Sequence, residues 1–269
     1  MKPYPESAGQ FATIEIGNGV NEVKPLVNFI IAGAQKAGTT ALYDYLTEEP
    51  AIALSKVKEV HFFDDEAREW STPDYRPYHA QFAVGGPDIR GEATPIYLYW
   101  PGCLERIVRY NSDMKLILLL RDPVERAWSH WKMEFARGVE TGSFSWAIRE
   151  GRQRLFQSEP WGAHREFSYV ERGFYGEQVA RALTLFPRER ILILRSEDLK
   201  RQPDEVLKAV NGFLDIPPPG HRAPRSVHVG RDMDYGADLS ERDVAMLREV
   251  FAPDQARLRS LTGLSFEPN

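Results

Sequence analysis

The stretch NFIIAGAQKAGTTALYDYL, Asn28 to Leu46, opens on an apolar run, Phe29-Ile30-Ile31-Ala32, of the kind that makes a parallel strand buried on both faces. Gly33 and Gly38 stand five apart, like the glycines of the phosphate-binding pattern GxxxxGK(S/T). In that pattern a lysine follows the second glycine; here Thr39 and Thr40 follow it, and the loop's one lysine is Lys36. A helix opening at Gly38 would present unpaired N–H groups and a partial positive charge, which suits a phosphate or sulfate. Thr39 and Thr40 would add hydroxyl donors and Lys36 a charge. The plainer alternative is a tight strand–helix turn with Lys36 solvated.

Two further apolar runs repeat the plan. Val27–Ala32, Met114–Leu120 and Arg190–Leu194 are each followed by a segment compatible with a helix. The order predicts an α/β domain, a mainly parallel sheet flanked by helices. The expected helices are Thr39–Thr47, Pro123–Phe135, Ser143–Phe156, Gly176–Phe186, Asp204–Phe213 and Ser240–Leu258. Ligands of such sheets bind beyond the carboxyl ends of the strands. The second of these places reads LILLLRDPVERAWSHWKMEF, Leu116 to Phe135, with Arg121 at the strand end and Ser129 about two turns into the next helix. Together they could grip a second phosphate. The alternative is an Arg121 paired with Asp122 or Glu125 and a Ser129 that only fills the helix.

Composition limits the function. A chain of 269 residues, 42% hydrophobic, can bury a sizeable core. Its formal charge of −5 argues against broad nucleic-acid binding. The single cysteine, Cys103, excludes an intramolecular disulfide and a cysteine-rich metal site, and fits a reducing, cytoplasmic setting. No metal is expected: His79, His164, His221 and His228 are scattered without ligand spacing, and His130, Trp128 and Trp131 read as packing residues. Residues 1–24 form an N-terminal extension without a signal-peptide core, residues 25–269 a single domain, and no run is long enough to span a bilayer. Asp215–Pro224, DIPPPGHRAP, reads as a rigid surface loop.

The two anion sites in order, Lys36-Ala37-Gly38-Thr39-Thr40 and Arg121 with Ser129, resemble those of sulfotransferases that use 3′-phosphoadenosine 5′-phosphosulfate (PAPS), particularly bacterial and heparan sulfate enzymes. KEVHFFD, GEATPIYLYWP, RGFYGEQVARALTLFPRERILILRSEDL and FAPDQARLRSLTG also look like family segments. The resemblance implies a P-loop-type fold, PAPS as co-substrate and 3′-phosphoadenosine 5′-phosphate (PAP) as product. It puts the 5′-phosphosulfate on the first loop, with Lys36 near the leaving group, and the 3′-phosphate on Arg121 and Ser129. It makes the glutamate of KEVHFFD, Glu59, the general base and His61 its support. Glu59, His61 and Phe63 would share a face if that segment is extended; the plain alternative is an exposed Lys58–Glu59 pair and a core-edge histidine. A late basic loop is partly matched by HVGRDM, where Gly230 and Arg231 fit and Val229 stands for a typical lysine. Ala93 likewise replaces a lysine usual in the heparan enzymes.

The implied acceptor is a hydroxyl of a saccharide, a lipid or polyketide, or another small molecule. Aromatics between Trp70 and Trp100 (Tyr75, Tyr78, Phe82, Tyr97, Tyr99) would line its pocket or pack the core. The rival readings are a P-loop ATP-dependent kinase, which wants the missing GK(S/T) lysine and a magnesium-holding acid, and a non-catalytic nucleotide-binding protein, which would tolerate loss of Glu59.

Overall fold

The apolar run after Asn28 becomes the middle strand of a five-stranded parallel sheet in a computed structural model that describes residues 26–157, 161–223, 235–236 and 238–266. The order is β2-β3-β1-β4-β5, with β1 Phe29–Gly33, β2 Ile52–Leu54, β3 Ile89–Ala93, β4 Lys115–Leu120 and β5 Ile191–Arg195. Ile30 stands beside Glu92 and Leu116, and Ile31 beside Ala93 and Ile117. Alternation therefore sends successive residues to opposite faces. Both faces are covered, as the parallel arrangement requires. Ile30, Leu116 and Leu118 pack with α2 (Cys103–Tyr110), α4 (Tyr175–Leu185) and α7 (Glu241–Thr262), while Ile31, Ile117 and Leu119 pack with α1 (Thr39–Leu46), α5 (Ser196–Arg201) and α6 (Pro203–Leu214). A third cluster seats α3 (Pro123–Ala136) through Val124, Ala127 and Trp131 against Phe144, Tyr169 and Phe251.

The three expected strands form within two residues of their expected ends. Two strands, β2 and β3, were not anticipated. IRGEA looks unlike a buried strand, yet Gly91 is required there: a Cβ would lie 2.2 Å from the Phe29 ring. The expected helix Ser143–Phe156 is corrected to short turns at Phe144–Ala147, Glu150–Arg152 and Gln153–Gln157. Gly151 sits at the break, where a Cβ would come within 2.9 Å of the Trp146 ring, and glycine disfavours a continuous helix. Of the aromatics between Trp70 and Trp100, Tyr78, Phe82 and Tyr97 are core, buried with Trp100, Phe62 and Phe63, and Tyr75 packs against them half-buried. Ala93 is buried under α1 in the other cluster, so its side chain faces packing and not solvent. Among the described residues no helix is long and apolar enough to cross a membrane, and no group of side chains has the makings of a metal site.

Candidate active site at the carboxyl edge of the sheet

A cleft of ≈ 1530 Å³ opens beyond the carboxyl ends of β1 and β4. Ligand pockets commonly run to about 1,000 Å³, so this one has room for a nucleotide and a second reactant. Its walls include Lys36, Gly38, Thr39, Thr40, Glu59, His61, Arg121 and Ser129, eight of the nine described residues expected to act there. The ninth, Ala37, is not among the residues that line the cleft. Its side chain is buried in the core and its N–H donates to the Ala34 carbonyl. Gly230 and Arg231 lie outside the described residues, as does His228.

The first wall is the loop after β1. Gly33 passes so close to Leu98 that a Cβ would lie 2.7 Å from its side chain. Gly38 caps α1 at φ 91, supplies no capping side chain, and is followed by no acidic residue in the first turn. The helix thus meets the cleft with free donors and an uncompensated dipole. Lys36, itself left-handed at φ 69, reaches across so that Nζ lies 3.5 Å from Met133 Sδ on α3. Burial, then the charges of Arg137 and Arg121, pull its pKa below the ordinary lysine value.

The second wall is the start of α3. Asp122 accepts from the N–H groups of Val124 and Glu125, and Pro123 occupies the first helical position, as its fixed φ favours. Arg121 donates from Nε and Nη2 to Glu125 Oε2 at 3.1 and 2.8 Å, and from Nη1 to the Lys36 carbonyl at 3.5 Å. The Glu125 pairing foreseen as the plain alternative therefore exists, inside the cleft. His130 does pack: it is fully buried, its ring 4.8 Å from that of Tyr169. Trp128 stacks on Trp131 at 5.0 Å but also lines the cleft.

The third wall carries Glu59. The expected extended segment is replaced by a loop in which Glu59 and His61 both take left-handed φ, 62 and 53. The Glu59 N–H donates to the Ala93 carbonyl at 2.9 Å, tying the loop to the end of β3. This turn keeps Glu59 and His61 on the cleft and sends Phe63 into the core, so the shared face holds for the first two residues only. Glu59 Oε1 accepts from Lys58 Nζ at 2.5 Å and Oε2 lies 3.5 Å from His61 Nε2. Burial pushes the Glu59 carboxyl up, but the hydrogen bonds and charges of His61 and Lys58 outweigh it and hold its pKa at about 2. His61 is raised to about 9, first by its hydrogen bond to Asp64 and then by Glu59.

Residues that the sequence reading missed stand behind this pair. Asp64, fully buried, sits 2.8 Å from His61 Nδ1 through Oδ2 and accepts from Arg165 Nη1 at 2.5 Å. Asp64 lies in KEVHFFD, three residues after His61, and that spacing was the available signal. Arg172, buried, donates to the Gln35 side chain, the carbonyls of His164 and Arg165, and Ser168 Oγ. It links the anion loop to the segment that holds Asp64. No local pattern could reveal a contact between residues 137 apart in sequence.

Residues 27–228 match the sulfotransferase domain family. The chain is 27% identical to the membrane-associated sulfotransferase kil1 of Dictyostelium discoideum, over 71% of this chain and 56% of that protein. It is also 27% identical to heparan sulfate glucosamine 3-O-sulfotransferase 5 of Homo sapiens, over 73% of this chain and 55% of that protein. The chain thus spans about half the length of the curated relatives it matches. A crystal structure of a sulfotransferase from Alicyclobacillus acidocaldarius superposes with a TM-score of 0.75 at 30% identity, covering 89% of this chain and 97% of that one. Domain match, fold and the place of the cleft agree: the chain belongs to the sulfotransferase family, P-loop-type α/β enzymes for which PAPS is the implied sulfate donor.

Proposed function

We propose that this chain moves the sulfuryl group of PAPS to a hydroxyl of a saccharide, lipid, polyketide or other small-molecule acceptor, with Glu59 as general base. The observation that carries the reading is that Glu59 and Lys36 face one cleft from different walls. The uncapped start of α1 and a lysine with no carboxylate partner among the described residues suit the 5′-phosphosulfate. Arg121 and Ser129 suit the 3′-phosphate.

In this mechanism the acceptor oxygen bonds to sulfur as the bond from sulfur to the phosphate oxygen breaks, and PAP leaves. Glu59 takes the acceptor proton. Lys36 and the α1 N–H groups stabilise charge growing on the departing phosphate, an effect of a few kcal/mol per donor. His61, protonated, and Asp64 keep Glu59 ionised and oriented. The relatives named as acting on heparan sulfate favour a saccharide acceptor, and Ala93 in place of lysine argues against simple transfer of that substrate.

We take residues 25–269 as one such domain and propose a cytoplasmic setting, on the single cysteine, which allows no intramolecular disulfide and fits a reducing compartment; cell fractionation tests the latter. Incubating the protein with sulfur-labelled PAPS and a panel of hydroxylated acceptors tests the activity. Label should move to at least one acceptor with stoichiometric release of PAP. Transfer of phosphate from ATP with magnesium, and none from PAPS, would overturn it.

A further inference from the structure

Among the described residues, seven cationic side chains besides His61 line the cleft: Lys36, Lys58, Arg121, Lys132, Arg137, Arg165 and Lys200. Four of them are met by acids, Lys58 by Glu59, Arg121 by Glu125, Arg137 by Glu134 and Arg165 by Asp64. Lys132 has no carboxylate partner among the described residues. Its ammonium lies 5.4 Å from the Trp128 ring centre and 5.5 Å from that of Tyr235, so two aromatic faces hold it. Glu125, Ser129 and Lys132 follow one another at i, i+4 and i+7 along α3, a single stripe that faces the cleft.

Charge accounting along that stripe leaves a deficit. A phosphate monoester carries about −1.5 to −2 charges at neutral pH. Arg121 brings one positive charge, but Glu125 accepts two of its hydrogen bonds and cancels it. Ser129 is neutral. The next side chain on the stripe is Lys132, which brings an uncancelled charge one turn beyond Ser129. Resting on the nucleotide site proposed above, we infer that Lys132 is a specificity-determining residue of this enzyme, its ammonium reading the 3′-phosphate beside Arg121 and Ser129. The aromatic pair holds the long side chain in place before the nucleotide arrives, so less side-chain freedom is lost on binding.

The test compares PAP with adenosine 5′-monophosphate, which lacks only the 3′-phosphate, by calorimetric titration of the wild type, Lys132→Met and Lys132→Arg. Methionine keeps the apolar stem against Trp128 and removes the charge. The wild type should prefer PAP. Lys132→Met should lose ~10-fold or more of that preference, the scale of one charge-assisted hydrogen bond. Its affinity for adenosine 5′-monophosphate should stay within about 2-fold of wild type, which also shows that the site is folded. Lys132→Arg should retain most of the preference. Equal weakening toward both ligands would make Lys132 a packing support, and an intact preference would leave the phosphate to Arg121 and Ser129; either overturns the inference while the nucleotide site stands. Equal affinity of the wild type for the two ligands would remove the nucleotide reading itself.

Discussion

At the scale of single residues, the Glu59–His61–Asp64 arrangement sets two opposed titrations. Glu59, at about 2, stays ionised throughout ordinary pH, and His61, at about 9, stays protonated until the medium is alkaline. His61 is raised above its ordinary value, so the stability it contributes is complete below about 6.5 and is lost as pH rises through about 9. Asp64→Asn removes the carboxylate that contributes most to this elevation. Followed by NMR, the His61 imidazole should then titrate well below 9, and the alkaline limb of turnover should move the same way. An unchanged titration would show that Asp64 does not govern His61. Lys36 and Arg121 could be singled out in the sequence because each follows a strand end, and Ser129 because it lies about two turns into the helix that follows β4. Arg165 and Arg172 were not, since their partners Asp64 and Gln35 lie 101 and 137 residues away.

At the scale of elements, the loop and α1 act as a unit whose hinge is Gly38. Its φ of 91 is one that L side chains rarely adopt, and an added Cβ would stand 3.4 Å from Ser196 Oγ. Gly38→Ala should destabilise the fold by roughly 1–2 kcal/mol and weaken PAP binding, read by denaturant unfolding and by titration. Unfolding and binding unchanged from wild type would mean that the turn relaxes freely. Strands β1 and β4 could be recognised because parallel strands buried on both faces are continuously apolar, and the edge strand β5 because ILIL is apolar throughout although only Ile191 in it is buried. β3 hid because IRGEA places a glycine under Phe29 and a glutamate in the core, neither of which an apolar pattern can flag. The extended reading of KEVHFFD failed for a similar reason. Two left-handed residues in a loop leave no mark in residue type when neither is glycine.

At the scale of the whole molecule, the core holds a carboxyl, and the proposed mechanism divides two jobs between different walls of the cleft. Glu92 is fully buried beneath Tyr78 and Thr94, whose hydroxyls donate to it, and burial lifts its pKa to about 7. A raised carboxyl contributes fully to stability below its unfolded value of about 4.5, and that contribution is lost as pH rises through about 7. The melting temperature of Glu92→Gln relative to wild type should therefore climb between about pH 5 and about pH 8; a difference independent of pH would show that Glu92 does not titrate in the folded protein. In the proposed mechanism the wall bearing Glu59 moves the acceptor proton while the wall bearing Lys36 holds the nucleotide. Glu59→Gln keeps size and hydrogen bonding and removes basicity, so it separates the two. Once an acceptor has been found with labelled PAPS, turnover of this variant should fall by roughly 10²–10⁴, with PAP affinity by calorimetry nearly unchanged. A variant that keeps more than about half the wild-type rate, or one that loses PAP binding along with turnover, would contradict the claim.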